Sequence, residues 1–418
     1  MSGKSSKLFF VGWSIVLIVW LVTSSSGQQS FLIYWIEAAA GNVKAERELG
    51  LLYYRGQEVT QNYLRALKWL RKAADNGDAT SQFYVGLMYQ DGKGVARDYS
   101  QALDWYYRAA EQGHGGAQDN IGWMYLNGQG VTRDYGQAMD WFKKAADNGH
   151  AEGKENIGFM YLNGLGVPQD YGQALNFFHQ AADVGNADAQ NNIGSMYLDG
   201  LGVAQDYGQA MTWFQKAAAQ NLPNAQNYIG HMYQKGYGVS QDYGQALSWF
   251  HKAADQGYAV AQLNVGWMYD NGDGVVQDYR QALTWYQKAA NQGNAEAQND
   301  IGWMYLNGHG VVMDYGQALS WFNKAADQGY PEAENNIGFM YRNGHGVVQD
   351  YGQALNWYQK AADQGLAAAQ YDIGLLYESG FGVQRDVATA TNWYKKAAAQ
   401  GDPEAEDRLK QLGHSTAP

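Results

Sequence analysis

Apolar residues in this chain recur at helical spacing, in two alternating patterns. Around Asn192–Gln220, "NIGSMYLDGLGVAQDYGQAMTWFQKAAAQ", the residues Ala189, Ile193, Met196 and Tyr197 fall at i, i+4, i+7 and i+8. This is the buried stripe of one amphipathic helix, helix A. After the glycine-bounded turn "DGLGV", Ala210, Phe214, Ala217 and Ala218 make the stripe of a second, helix B. Trp213, beside Phe214, is expected to cover the neighbouring copy of the pattern. Asp206 opens helix B as its N-cap, and Gln209, three residues on, fits the reciprocal half of a capping box.

The pattern then repeats. A glycine inside helix A stands at Gly50, Gly86, Gly122, Gly158, Gly194, Gly230, Gly266, Gly302, Gly338 and Gly374, always 36 residues apart. A second glycine, from Gly41 to Gly401, closes helix B in the same period, with Asn221 as its one substitution. Asn is the next best residue for a left-handed backbone. Pro223, Pro331 and Pro403 fall in the first turn of helix A, where a missing N–H costs nothing. A helix-interior glycine costs about 1 kcal/mol relative to alanine. Its recurrence predicts that helix backbones approach one another closely there.

The reading is therefore all-α, with ten 36-residue helix-turn-helix repeats over residues 42–401. Residues 31–41 supply an N-terminal half-repeat helix. Residues 402–413 give a charged C-terminal capping helix, and 414–418 are expected to be a disordered tail. The N-terminus differs. Lys4 and Lys7 precede an uncharged run over residues 8–22, followed by "TSSSG". This order fits a signal peptide over residues 1–27 or an uncleaved signal-anchor. Fifteen helical residues span about 22 Å, short of a bilayer core of about 30 Å. Either form exports the rest of the chain, as a secreted, periplasmic or lumenal protein or one anchored by residues 8–22.

Composition narrows the function. The formal net charge is −12, and removing residues 1–27, which hold Lys4 and Lys7 and no acid, takes it to −14. Nucleic acid, which needs a basic face, is not an expected partner. There is no cysteine, which excludes disulfides and thiolate metal sites. His309 and His345 share one loop position and His114 and His150 another, a full repeat apart. Equivalent positions in stacked repeats lie roughly 8–10 Å apart. Zinc needs donors at about 2 Å, so these histidines read as surface variation. The glycine loops lack the strand and lysine of a phosphate cradle. No catalytic constellation stands out, and no cofactor, metal or enzymatic activity is expected.

The repeated sentence, "A-x-A-Q-x-x-I-G-x-M-Y-x-x-G-x-G-V-x-x-D-Y-x-Q-A-x-x-W-F-x-K-A-A-x-x-G", resembles the Sel1-like repeat, a relative of the tetratricopeptide repeat. The resemblance runs from about Phe31 to Gly413. It implies a right-handed α/α superhelical solenoid whose A helices line an inner, concave face, and a scaffold or adaptor that binds a protein or peptide. Cysteine-rich relatives are linked to β-lactam hydrolysis, but their hallmark disulfides have no counterpart here.

One stripe of helix A varies while the rest of the repeat holds. The residue after the internal glycine lies about 200° around the helix from the buried isoleucine. Together with the position four residues earlier, it offers Phe83, Trp123, Phe159, Trp267, Trp303, Phe339 and Tyr371 as candidate binding residues. These aromatics, interleaved with Asn and Asp, suit a peptide, a helix or a glycan on the concave face. Packing between neighbouring A helices is the competing reading. The alternatives to a protein scaffold are a cell-envelope carbohydrate binder and a hydrolase like the cysteine-rich relatives. Membrane contact is expected only through an uncleaved N-terminal segment.

Overall fold

The computed structural model describes residues 29–413. The expected leader over 1–27 and the tail over 414–418 lie outside the described residues. The chain forms two compact halves, Met1–Asp206 and Tyr207–Pro418. Among the described residues there are 22 helices and no strand, and within each half every helix packs on the next. No described helix is long and apolar enough to cross a membrane.

One repeat shows how sequence dictates local structure. Its A helix is Ala295–Asn307 and its B helix Tyr315–Ala326. Helix A stops at Gly308, whose left-handed backbone (φ 72°) returns its N–H to the Met304 carbonyl. Two residues on, Gly310 is also left-handed (φ 70°), and a Cβ there would lie 2.8 Å from the Tyr279 carbonyl carbon. Glycine is thus required twice over, by conformation and by contact with the preceding repeat. Asp314 then caps helix B by accepting the Gln317 N–H at 2.9 Å. The expected reciprocal bond from the glutamine side chain gives way to another partner: the Asp314 N–H donates to the Tyr305 carbonyl at 2.9 Å. Asn221 adopts the left-handed φ of 66° that its place in the glycine series predicts.

The core is the seam between helices A and B. At each internal glycine described, the close neighbour is a side chain of helix B, usually its large aromatic. A Cβ on Gly86 would lie 2.5 Å from the Tyr106 ring, and one on Gly302 2.6 Å from the Phe322 ring. The close approach is therefore mainly of a ring onto bare helix backbone, not of backbone onto backbone as the sequence suggested, although the Ala102 carbonyl is also only 3.2 Å from that Gly86 position. The B-helix tryptophans seal one repeat to the last. Trp285 joins a cluster with Ala246 and Phe250 of the preceding repeat and Met268 of its own. Lys288 lies 3.4 Å above its ring and Lys324 3.6 Å above Trp321.

Glutamines bridge the same joints. In the N-terminal half Gln82 donates to the Ala74 carbonyl (3.1 Å) at the end of the previous helix B, and accepts from Gln112 (2.8 Å). In the C-terminal half Gln262 repeats both bonds, to Ala254 and from Gln292. Each buried amide thus finds partners on both sides of the joint. At the C-terminus, helix Pro403–Gln411 buries only Ala405 and Leu409, so its remaining face can meet water. At the other end, Phe31 of helix Gln29–Ala39 meets Tyr53 edge-on at 5.8 Å.

Candidate interaction site

The variable stripe of helix A is two rows with different surroundings. The row four residues before the glycine-following position is largely buried and joins repeats by hydrogen bonds. Asn156 donates to Asp119 at 2.8 Å, Asn192 to Glu155 at 2.8 Å, Asn264 to Asn227 at 2.8 Å and Asn336 to Asn299 at 2.9 Å. Packing between A helices is what this row does. Phe83 follows the same rule, stacking on His114 at 4.6 Å, and Tyr371 leans on Tyr394 at 5.6 Å.

Burial sets the charge state of the acids in this row. It pushes the Asp119 carboxyl up to about 6, opposed by the bond from Asn156. It pushes Glu155 up to about 7, with Asp188 and Asp119 adding repulsion. Both bind a proton more tightly folded than unfolded. Their contribution is complete below the ordinary carboxyl pKa and is lost as pH rises through about 6 and about 7. We expect Glu155→Gln, which keeps an acceptor for Asn192, to stabilise the protein at about pH 8 by on the order of 1–3 kcal/mol and to have little effect near pH 4. Thermal melts of both proteins at the two pH values check this; an equal shift at both would contradict it.

The second row, after the glycine, is more open. Trp267 and Trp303 are 41% and 47% exposed. Trp123 is half-buried, edge-on to Phe142 at 6.1 Å and tilted against Phe159 at 6.0 Å, so both serve packing as well. Phe339 meets His345 at 5.6 Å. Of the seven candidates, the structure places Trp303 and Phe339 around one cleft and leaves the others apart from it.

That cleft, of about 460 Å³, is lined by Trp303, Leu306, Met313, Tyr315, Phe339 and His345, with Asn307, Asn335 and Asn336. A second, of about 310 Å³, shares Trp303 and is also lined by Asp270, Asn271, Gln277, Tyr279, Asp300, Met304 and His309. His309 stacks on Tyr279 (4.5 Å) and His345 on Tyr315 (4.6 Å), so each loop histidine walls a cleft. Their 36-residue spacing was visible in sequence, but nothing there showed which tyrosine each would meet. His345 Nδ1 and Asn335 Oδ1 are buried and have no hydrogen-bond partner among the described residues. Among those residues no three His, Asp or Glu side chains converge as metal ligands would.

Ten successive segments, 43–78, 79–114, 116–150, 151–186, 187–222, 223–258, 259–294, 295–330, 331–366 and 367–402, match the Sel1 repeat. The chain belongs to the Sel1 repeat family. Among solved structures, this Sel1 repeat protein is 34% identical to c5321, a protective antigen of uropathogenic Escherichia coli with an SLR fold. That match covers 91% of this chain and 90% of the antigen, with a TM-score of 0.45. It is 33% identical to a Sel1 repeat protein from Oxalobacter formigenes over 83% of this chain and 90% of that one, with a TM-score of 0.49. Human IFIT1, solved as a dimer with PPP-AAAA, is 14% identical over 89% of this chain and 91% of its own, with a TM-score of 0.50, a likeness of fold alone. Comparison with curated proteins finds no match. Sel1 repeats form helical solenoids, generally non-catalytic scaffolds that typically mediate protein–protein interaction.

Proposed function

We propose that this Sel1 repeat protein is an exported scaffold that holds a protein or peptide partner along the A-helix, concave face of its solenoid. Export rests on the sequence of residues 1–27, whose loss or retention sets a secreted or an anchored form. The observation that carries the binding reading is the exposure of Trp303, 47%, beside a cleft, while the core aromatic of the same repeat, Phe322, is 0% exposed. A large ring held at the surface retains its hydrophobic surface for a partner to cover. Crosslinking mass spectrometry of the protein in its own cells tests the reading. Crosslinks to a partner are expected on the A helices; crosslinks confined to the B helices would overturn it.

A second reading, a cell-envelope carbohydrate binder, is favoured by the asparagines Asn307, Asn335 and Asn336 beside Trp303. Binding on a glycan array that disappears in Trp303→Ala would select it over the protein scaffold. Hydrolysis like that of the cysteine-rich relatives has no support from the residues at the clefts, and β-lactam turnover is expected at background.

A further inference from the structure

The two clefts sharing Trp303 are one site met twice. Shifting the second by 36 residues turns Asn271 into Asn307, Tyr279 into Tyr315, Trp303 into Phe339 and His309 into His345, all lining residues of the first. Three further lining positions change character: Asp270 becomes Leu306, Gln277 becomes Met313 and Asp300 becomes Asn336. A common frame therefore carries an acidic cleft and, one repeat on, an apolar cleft.

The next repeats show what the acidic positions accept. The counterparts of Asp270 and Asp300 one step further are Arg342 and Asp372, joined by an ion pair of 2.6 Å in the molecule's next joint but one. A further step gives Glu378 and Arg408, again paired at 2.6 Å with the charges exchanged. At both joints the frame holds a cation against a carboxylate. At Asp270 and Asp300 it holds two carboxylates. Glu296 adds further repulsion at Asp300, relieved in part by a bond from Asn299, while His309 and the Tyr286 hydroxyl act on Asp270. Burial and this crowding push Asp300 up to about 7, and among the described residues neither Asp270 nor Asp300 is ion-paired with a Lys or Arg.

We propose that the two clefts form a groove with two subsites for an extended peptide segment of a protein partner. The Asp270/Asp300 cleft takes a Lys or Arg side chain, and the Trp303/Phe339 cleft takes an apolar side chain. Equivalent positions of stacked repeats lie roughly 8–10 Å apart. A polyproline II chain has three residues per turn at about 3.1 Å each, so residues i and i+3 point the same way about 9 Å apart. The spacing of the subsites thus matches one turn of that helix. The charge complementarity is local, set by two acids of the groove, and agrees with the chain's net charge of −12. The inference rests on the scaffold reading above and adds to it the chemistry of the partner.

Fluorescence anisotropy with the full chain tests it, using labelled proline-rich peptides with Arg and Leu three residues apart, in both orders. Controls replace Arg with Gln or Leu with Gly, and a helical peptide carries Arg and Leu seven residues apart. One order of the Arg/Leu peptide is expected to bind at least about tenfold more tightly than either control and than the helical peptide. Asp270→Asn/Asp300→Asn should abolish the preference for Arg over Gln while retaining that for Leu over Gly. Asp270→Leu/Gln277→Met/Asp300→Asn, which copies the three changed positions of the apolar cleft, should shift the preference to Leu at both positions. Circular dichroism melts confirm that the variants are folded, as removal of crowded carboxylates predicts. Equal binding of Arg and Gln peptides, tighter binding of the helical peptide, or an Arg preference that survives both variants would overturn the proposal. If cellular crosslinks still fall on the A helices, that failure leaves the scaffold reading standing; crosslinks confined to the B helices sink the scaffold reading itself.

Discussion

Replacing Phe322 with alanine is expected to loosen its repeat by about 3–5 kcal/mol, the range for deleting a buried aromatic ring. Phe322 is fully buried and lies on the backbone at Gly302, so no side chain on that glycine can move in to fill the space. A repeat array does not have to respond as one cooperative block, because stability resides in each repeat and its joints. The informative measurement is amide hydrogen exchange of helices Ala295–Asn307 and Tyr315–Ala326. Exchange there should accelerate by roughly two to four orders of magnitude, at about 1.4 kcal/mol per tenfold. A change of less than tenfold would mean that the ring is not the keystone of the A–B seam.

Gly302→Val is the converse test, adding volume where the structure has none. A Cβ at Gly302 would sit 2.6 Å from two Phe322 ring atoms, closer than real contacts allow. Overpacking of this kind costs about 1–3 kcal/mol, and valine restricts its own side chain in a helix. Relief of the glycine penalty returns about 1 kcal/mol or less. The net expectation is a loss of about 0.5–2.5 kcal/mol. Adding Phe322→Leu to Gly302→Val should recover part of it, since the smaller side chain vacates the clashing volume. Stability of the two single variants and the double variant, read by urea unfolding, forms the cycle. Strictly additive losses would contradict a direct ring-on-backbone contact.

Much of the local structure of this chain is legible in its sequence. The helix pairs, their left-handed closing residues and the capping aspartates are local, and each follows from spacing and backbone chemistry at single positions. The recurring helix-interior glycine announced a close approach, but the identity of the approaching group is a tertiary fact. Gly302 and Phe322 share a repeat, yet sequence alone does not say that a ring rather than a backbone covers the glycine. The stripe of candidate aromatics was found as one surface and turned out to be two rows. Asp119 and Glu155 join repeats through Asn156 and Asn192, whereas Trp267 and Trp303 reach solvent. A helical wheel gives an angle about one axis; it does not show how near the next helix stands. The histidines illustrate the same limit. His309 and His345 read as surface variation at a shared loop position, and stacking on Tyr279 and Tyr315 makes them walls of the clefts.

The central claim is a division of labour: the A–B seam holds each repeat together, and the open row of helix A is left for a partner. Trp267→Ala/Trp303→Ala isolates the second role, because it removes two exposed rings and spares the half-buried Trp123. The decisive measurement is partner crosslinking in cells, set beside the melting temperature of the same variant. Crosslinks to the partner should be lost while the melting temperature stays within about 2 °C of the parent, as surface substitutions allow. Retained crosslinks, or a melting temperature lowered as far as in Phe322→Ala, would contradict the account.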